Sequence, residues 1–211
     1  MAKIKAVLFD MDGVLIEAKD WHYEALNQSL GLFGYEVTYS EHLSGYDGLP
    51  TRVKLKKLSA EKGLPQKLHG FIDEMKQQYT VGIIQNKCRP RFIHEYALSR
   101  LKSEGYRIAC CSNSIRMTIE MMMSYAKLSG YLEFIISNQD VKNAKPDPEI
   151  YLTAIEKMGL NPDECLICED NEHGIQAAIA SGGHLMTIKK VDDVTWDNIS
   201  RRITEIERGV N

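Results

Sequence analysis

The chain has 211 residues and a mass of 24.0 kDa, enough for one large domain or a core domain carrying a smaller insert. An apolar fraction of 44%, a charged fraction of 26% and only 6 prolines exclude disordered, collagenous and low-complexity chains. A formal net charge of −3 argues against a dedicated nucleic-acid binder, and no apolar run approaches the roughly 20 residues that span a bilayer.

In chain order, Ile4–Phe9 is a short apolar run that stops abruptly at Asp10. Its Val7-Leu8-Phe9 stretch is too short for the apolar core of a signal peptide. Trp21, Ala25, Leu26, Leu30 and Phe33 then recur with helical spacing, and Thr51–Lys62 reads as a short basic helix ended by Gly63 and Pro65. Leu68, Phe71, Ile72, Met75 and Tyr79 suggest a further helical face, as do Phe92, Ile93, Tyr96, Ala97 and Leu101. Tyr106–Cys111 is an apolar run ending at Ser112-Asn113, and Phe134–Ile136 is another ending at Ser137-Asn138. The methionines Met117, Met121, Met122 and Met123 between them read as helix packing. Ile150, Tyr151, Ala154, Ile155 and Met158 share a helical face, Glu164–Cys168 ends at Glu169-Asp170, and His184–Ile188 follows Gly182-Gly183.

Short apolar strands alternating with amphipathic helices predict an α/β fold, a Rossmann-like parallel sheet with helices on both faces. In such sheets ligands sit beyond the carboxyl ends of the strands, where the polar clusters of this sequence fall. The first connection is too long: 97 residues separate Phe9 from Tyr106, whereas a strand–helix–strand unit needs about 30. The excess reads as an inserted α-helical cap domain, with the core at 1–15 and 85–211 and the cap at 16–84.

The 5 cysteines are an odd number without disulfide spacing. Cys165 and Cys168 form a lone CxxC within an apparent strand, Cys110-Cys111 lie in an apolar stretch, and Cys88 stands alone, so buried reduced thiols are expected. The corresponding compartment is cytoplasmic, with no nucleic-acid or membrane partner and a monomer or weak dimer.

Asp10-Met11-Asp12-Gly13 puts two carboxylates two residues apart where a strand gives way to a loop, and Gly13 permits a sharp turn. Glu169-Asp170 sits at another strand end before a helix. Carboxylates converging there repel unless a cation joins them, and an all-oxygen donor set suggests Mg²⁺. Ser112-Asn113-Ser114, read as a helix start, is a natural anion site, and Lys145 in Ala144-Lys145-Pro146-Asp147-Pro148 can neutralise an anion beside the acids. Alone, each piece has a plainer reading as a turn former, a helix cap, a helix start or a surface lysine. Their conjunction in this order, each at or after a strand end, points to phosphoryl transfer.

The four pieces resemble the four motifs of the haloacid dehalogenase superfamily: DxDG(V/T) at Asp10–Val14, Ser/Thr at Ser112, Lys-Pro-x-Pro at Lys145–Pro148 and Glu-Asp at Glu169-Asp170. The helical insert is similar to the cap of the subfamily holding phosphoglycolate phosphatases and β-phosphoglucomutases. The resemblance implies that Asp10 is the nucleophile, forming an aspartyl-phosphate, and that Asp12 is the general acid–base. It implies Mg²⁺ on the Asp10 carboxylate, the Asp12 backbone carbonyl and Asp170, with Glu169 beside or within the shell. Ser112, Asn113 and Lys145 would grip the phosphoryl group. In the cap, His22 matches a hinge histidine near the acid, Arg52 resembles an arginine that binds a non-transferring phosphate, and Lys76 resembles a cap lysine. The Gly48-Leu49-Pro50-Thr51-Arg52 spacing departs from the tighter Gly-x-Ser-Arg of the mutases by about one residue, and a surface histidine or solvated lysine is the plainer reading of His22 or Lys76. The expected activity is a Mg²⁺-dependent phosphatase, a phosphoric monoester hydrolase acting on a small phosphorylated metabolite such as a sugar phosphate. A phosphomutase of the β-phosphoglucomutase type is the alternative, and a catalytically silent binding protein is a third reading.

Overall fold

A computed structural model describes residues 3–209. The chain forms two compact units, Met1–Glu17 with Arg89–Asn211, and Ala18–Cys88. The first carries five strands, β1 (Ala6–Phe9), β2 (Arg107–Cys111), β3 (Phe134–Ile136), β4 (Cys165–Glu169) and β5 (His184–Thr187). They form one parallel sheet in the order β3-β2-β1-β4-β5. β1 lies at the centre, and Phe9 is in register with Cys110 on one side and Cys168 on the other. Four consecutive apolar residues, Ala6–Phe9, suit that position because both faces of a parallel sheet are covered. β4 runs one residue beyond the expected strand: Glu169 pairs with Thr187, and its carbonyl accepts from the Ile188 N–H at 2.7 Å.

Alternate side chains serve opposite faces. Ala6, Leu8, Ala109, Cys111, Ile136, Cys165 and Ile167 share one cluster with residues of α7 (Glu149–Lys157) and α8 (Glu172–Ala180). On α7 the expected face, Ile150, Tyr151, Ala154, Ile155 and Met158, is buried. On the other side α5 (Phe92–Ser103) packs against β2 and α9 (Trp196–Glu207). Here the buried face differs from the expected one by part of a turn. Phe92 and Tyr96 stack on each other at the surface, ring centroids 6.0 Å apart, while His94, Ala97, Leu98 and Leu101 point inward. A histidine on the apolar stripe disguises it. His94 is tolerated there because its Nε2 bonds the Val191 carbonyl at 2.8 Å. All five cysteines are buried and unbridged; burial pushes the Cys111 thiol up to about 12.

The second unit is helical: α1 (Lys19–Gly31), α2 (Tyr39–Gly45), α3 (Thr51–Lys62) and α4 (His69–Lys87). α2 opens with a capping box between Thr38 and Glu41, and α3 ends at Gly63, whose φ of +68° is the left-handed C-cap. Leu26, Leu30, Val37, Tyr46, Leu55, Leu58, Leu64 and Ile72 form its core. The α1 face holds at Ala25, Leu26 and Leu30, but Phe33 lies beyond the helix and half exposed. The α4 face is corrected more strongly. Its buried stripe is Ile72, Lys76, Thr80, Ile83 and Ile84, and Phe71 is exposed, edge-on to Phe33. Two polar residues on the stripe hide its period from an apolar count.

Candidate active site

The carboxyl ends of β1, β2 and β4 converge. After Phe9 the chain closes a tight loop: the Met11 carbonyl accepts from the N–H groups of Val14, Leu15 and Ile16, and the Gly13 N–H donates to the Ile16 carbonyl at 2.7 Å. Gly13 has a φ of +90°, a conformation that a side chain resists. The loop holds Asp10 buried and Asp12 half-buried. After β2, Ser112 is buried and its Oγ accepts from the Ser114 N–H at 3.1 Å. Ser114 donates its hydroxyl to Asp12 Oδ2 at 3.1 Å. The following helix, α6 (Arg116–Tyr125), starts later than the sequence suggests, because Ile115 is extended and Asn113 and Ser114 form a bend.

Lys145 is buried at the centre of the cluster. Its Nζ donates to Asp10 Oδ1 at 2.6 Å, to the Cys111 carbonyl at 2.8 Å and to Glu169 Oε1. An ammonium has three protons, so this donor set is filled. Its backbone is clamped by Asn113, whose Oδ1 accepts from the Lys145 N–H at 3.0 Å and whose Nδ2 donates to the Lys145 carbonyl at 3.3 Å. Glu169 is fully enclosed. Its Oε1 also accepts from the Tyr151 hydroxyl, and its Oε2 accepts from the Asp170 N–H at 3.1 Å. Asn171 caps α8 by accepting from the Gly174 N–H at 3.0 Å, which brings that glycine onto Glu169. A Cβ at Gly174 would lie 2.0 Å from the Glu169 carboxyl carbon.

Charge follows from this geometry. Burial first, then the Glu169 charge, pushes the Asp10 carboxyl well above the carboxylate range, with Lys145 opposing. Burial works against the Lys145 ammonium, but the charges of Asp10 and Glu169 outweigh it and hold it above the ordinary lysine value. Burial and the Glu169 charge raise the Tyr151 phenol too, so it stays a donor. One carboxylate oxygen each from Asp10, Glu169 and Asp170 lie within 4.8 Å of one another. Three acids against one ammonium leave a negative excess, and the donors are oxygens only. That set fits a hard divalent cation, which would offset the Glu169 and Asp170 charges that add to burial in raising Asp10.

Seven of the sequence-derived candidates, Asp10, Asp12, Ser112, Asn113, Lys145, Glu169 and Asp170, therefore meet at the strand ends of the first unit. The other three lie in the helical unit. His22 and Lys76 are buried with Nδ1 and Nζ 3.5 Å apart, while Arg52 is exposed in the first turn of α3. Sequence reasoning misses Tyr151 as a site residue. Tyr151 reads as core, although a tyrosine on a buried apolar face needs a partner for its hydroxyl.

Known proteins place this geometry. At the level of overall fold, the chain is similar to β-phosphoglucomutase from Clostridium difficile, with a TM-score of 0.84 at 22% identity, covering 97% of this chain and 99% of that one. In sequence it is 26% identical to phosphoglycolate phosphatase from Aquifex aeolicus, over 91% of this chain and 92% of that protein. It is 28% identical to a phosphorylated carbohydrates phosphatase from Thermotoga maritima, over 85% of this chain and 82% of that protein. The sequence profile of the haloacid dehalogenase-like hydrolases matches residues 7–188, from the second residue of β1 through the one after β5. With the profile spanning the whole sheet and the strand-end acids in place, the chain belongs to the haloacid dehalogenase-like hydrolase family.

Proposed function

We propose that the protein is a Mg²⁺-dependent phosphoric monoester hydrolase that acts on a small phosphorylated metabolite, a sugar phosphate or similar polyol phosphate, through an aspartyl-phosphate on Asp10. The observation that carries this reading is the buried Lys145 bridge, which holds Oδ1 of Asp10 at 2.6 Å and so presents Oδ2 for attack. Oδ2 bonds to phosphorus as the ester P–O bond breaks. Asp12, oriented by the Ser114 hydroxyl, donates its proton to the leaving oxygen. Asp12 then takes a proton from water, which attacks phosphorus and breaks its bond to Oδ2, releasing phosphate. Ser112 and the Asn113 backbone hold the phosphoryl oxygens, Lys145 adds its positive charge beside them, and Asn113 through its side chain also fixes the Lys145 backbone. Mg²⁺, held by Asp10, the Asp12 carbonyl and Asp170 with Glu169 alongside, supplies positive charge to those oxygens. The phosphatases of Aquifex and Thermotoga support the substrate class.

In this reading the helical unit is the cap, and His22, Lys76 and Arg52 are its substrate residues. One observation favours phosphomutase as the second reading: the His22–Lys76 pair is buried, and a buried imidazole is suited to accept the proton that an attacking sugar hydroxyl loses. Phosphorus NMR of the protein with Mg²⁺ and a panel of sugar phosphates tests both. Free phosphate from one panel member, lost in Asp10→Asn with folding intact, is expected. An isomerised sugar phosphate with little free phosphate would establish the mutase instead, and wild-type-like rates in Asp10→Asn would sink both.

A further inference from the structure

We infer that Tyr151 is a positioning residue for this site: its hydroxyl fixes Glu169 Oε1 on Lys145, and through Lys145 it fixes the nucleophilic carboxylate. The inference rests on the reading of Asp10 as nucleophile. Tyr151 is the largest fully buried side chain among the described residues, and its companions on the α7 face, Ile150, Ala154, Ile155 and Met158, are apolar or small. Phenylalanine would fill that space as well. The hydroxyl is the one polar departure on this face, and it donates to the same carboxylate oxygen that Lys145 engages. The ring also underlies the ion pair, with Lys145 Nζ 4.7 Å from its centroid. A single side chain therefore touches both members of the pair.

The rest of Glu169 is held from other directions. Oε2 accepts from the Asp170 N–H, and the backbone at Gly174 closes on the carboxylate so tightly that no Cβ fits. Those contacts limit translation of the carboxylate, but Tyr151 supplies the second, neutral donor to Oε1. Without it the carboxylate can swing away from Lys145. The ammonium then has a mobile acceptor on one of its three protons, and Asp10 Oδ1 loses a fixed donor direction. Substrate binding is expected to survive this change, and the rate of phosphoryl transfer is not.

The test is Tyr151→Phe in the full chain, alone and with Glu169→Gln. The single variant should lower kcat roughly ten- to hundredfold, as loss of a hydrogen bond to a charged group does, and change KM less than about threefold. In the Glu169→Gln background the same substitution should change kcat less than about twofold, because the group it acts through is already altered. Calorimetric Mg²⁺ affinity gives the same cycle independently of turnover: Tyr151→Phe should shift it in the otherwise wild-type chain and not in the chain that also carries Glu169→Gln. A kcat equal to wild type, or losses that multiply across the two substitutions in both readouts, would overturn the inference. Wild-type protein that turns over no panel member, yet shows the Mg²⁺ coupling, would instead strike the proposed substrate class and leave Tyr151 in its role.

Discussion

Two buried basic side chains, one in each unit, are accommodated in opposite ways. Lys145 spends every ammonium proton on a carboxylate or a carbonyl and remains charged. His42 on α2 is as fully enclosed, yet among the described residues neither ring nitrogen has a hydrogen-bond partner, and the Asp47 carboxylate is 3.9 Å away. Burial, then the Lys54 charge, brings its pKa down to about 4, so it is neutral at neutral pH. The difference lies in what each architecture has to offer. Strand ends of a parallel sheet leave carbonyls such as Cys111 unspent beside acids delivered from other strands. Helices consume their own carbonyls, and four helices meeting around a core have few acceptors to lend.

The comparison can be broken at several points. Lys145→Ala should cost the most: about a thousandfold in kcat by steady-state assay, and about 3 to 5 kcal/mol by urea unfolding, since Asp10 and Glu169 would face each other uncompensated. Gly174→Ala should follow, with about 2 to 3 kcal/mol lost in the same unfolding assay and a clear fall in rate, because the held carboxylate cannot give way to a Cβ 2.0 Å away. His42 should contribute a smaller, pH-dependent effect. Its folded pKa lies below the ordinary 6.5, so the unfolded chain binds the extra proton and stability falls as pH drops from about 6.5 toward 4. Unfolding at pH 7.5 and pH 5 should show His42→Leu losing about 1 to 2 kcal/mol less than wild type over that interval. An identical acid limb in both would remove the asymmetry between the units. The smallest change has the opposite sign. Gly82 lies within α4 with nothing within 4 Å of where a Cβ would sit, so Gly82→Ala should raise stability by up to about 1 kcal/mol.

The same asymmetry governs what can be read from sequence. In the first unit, each apolar run ends at a polar cluster, so strand ends and candidate residues announce one another: Phe9 before Asp10, Cys111 before Ser112. The α7 stripe is legible because its polar member, Tyr151, is itself largely apolar. In α4 and α5 the inward stripes carry Lys76, Thr80 and His94, so a count of apolar residues selects Phe71, Phe92 and Tyr96, which lie at the surface. The same rule hides the second tier of the site. Tyr151 acts through a hydrogen bond to Glu169, which leaves no spacing pattern.

Sheet order and chain order also disagree in a way that bears on synthesis. β1 is made first but is central, and its neighbours are β2, beginning at Arg107, and β4, ending at Glu169. At typical translation speeds its two edges wait on the order of ten seconds for the second partner. In that interval Ala18–Cys88 can fold around its own core. A four-residue strand keeps the unpaired apolar edge short, so the length of β1 limits the chance of pairing with a neighbouring nascent chain before Asp10 at its tip has any companions.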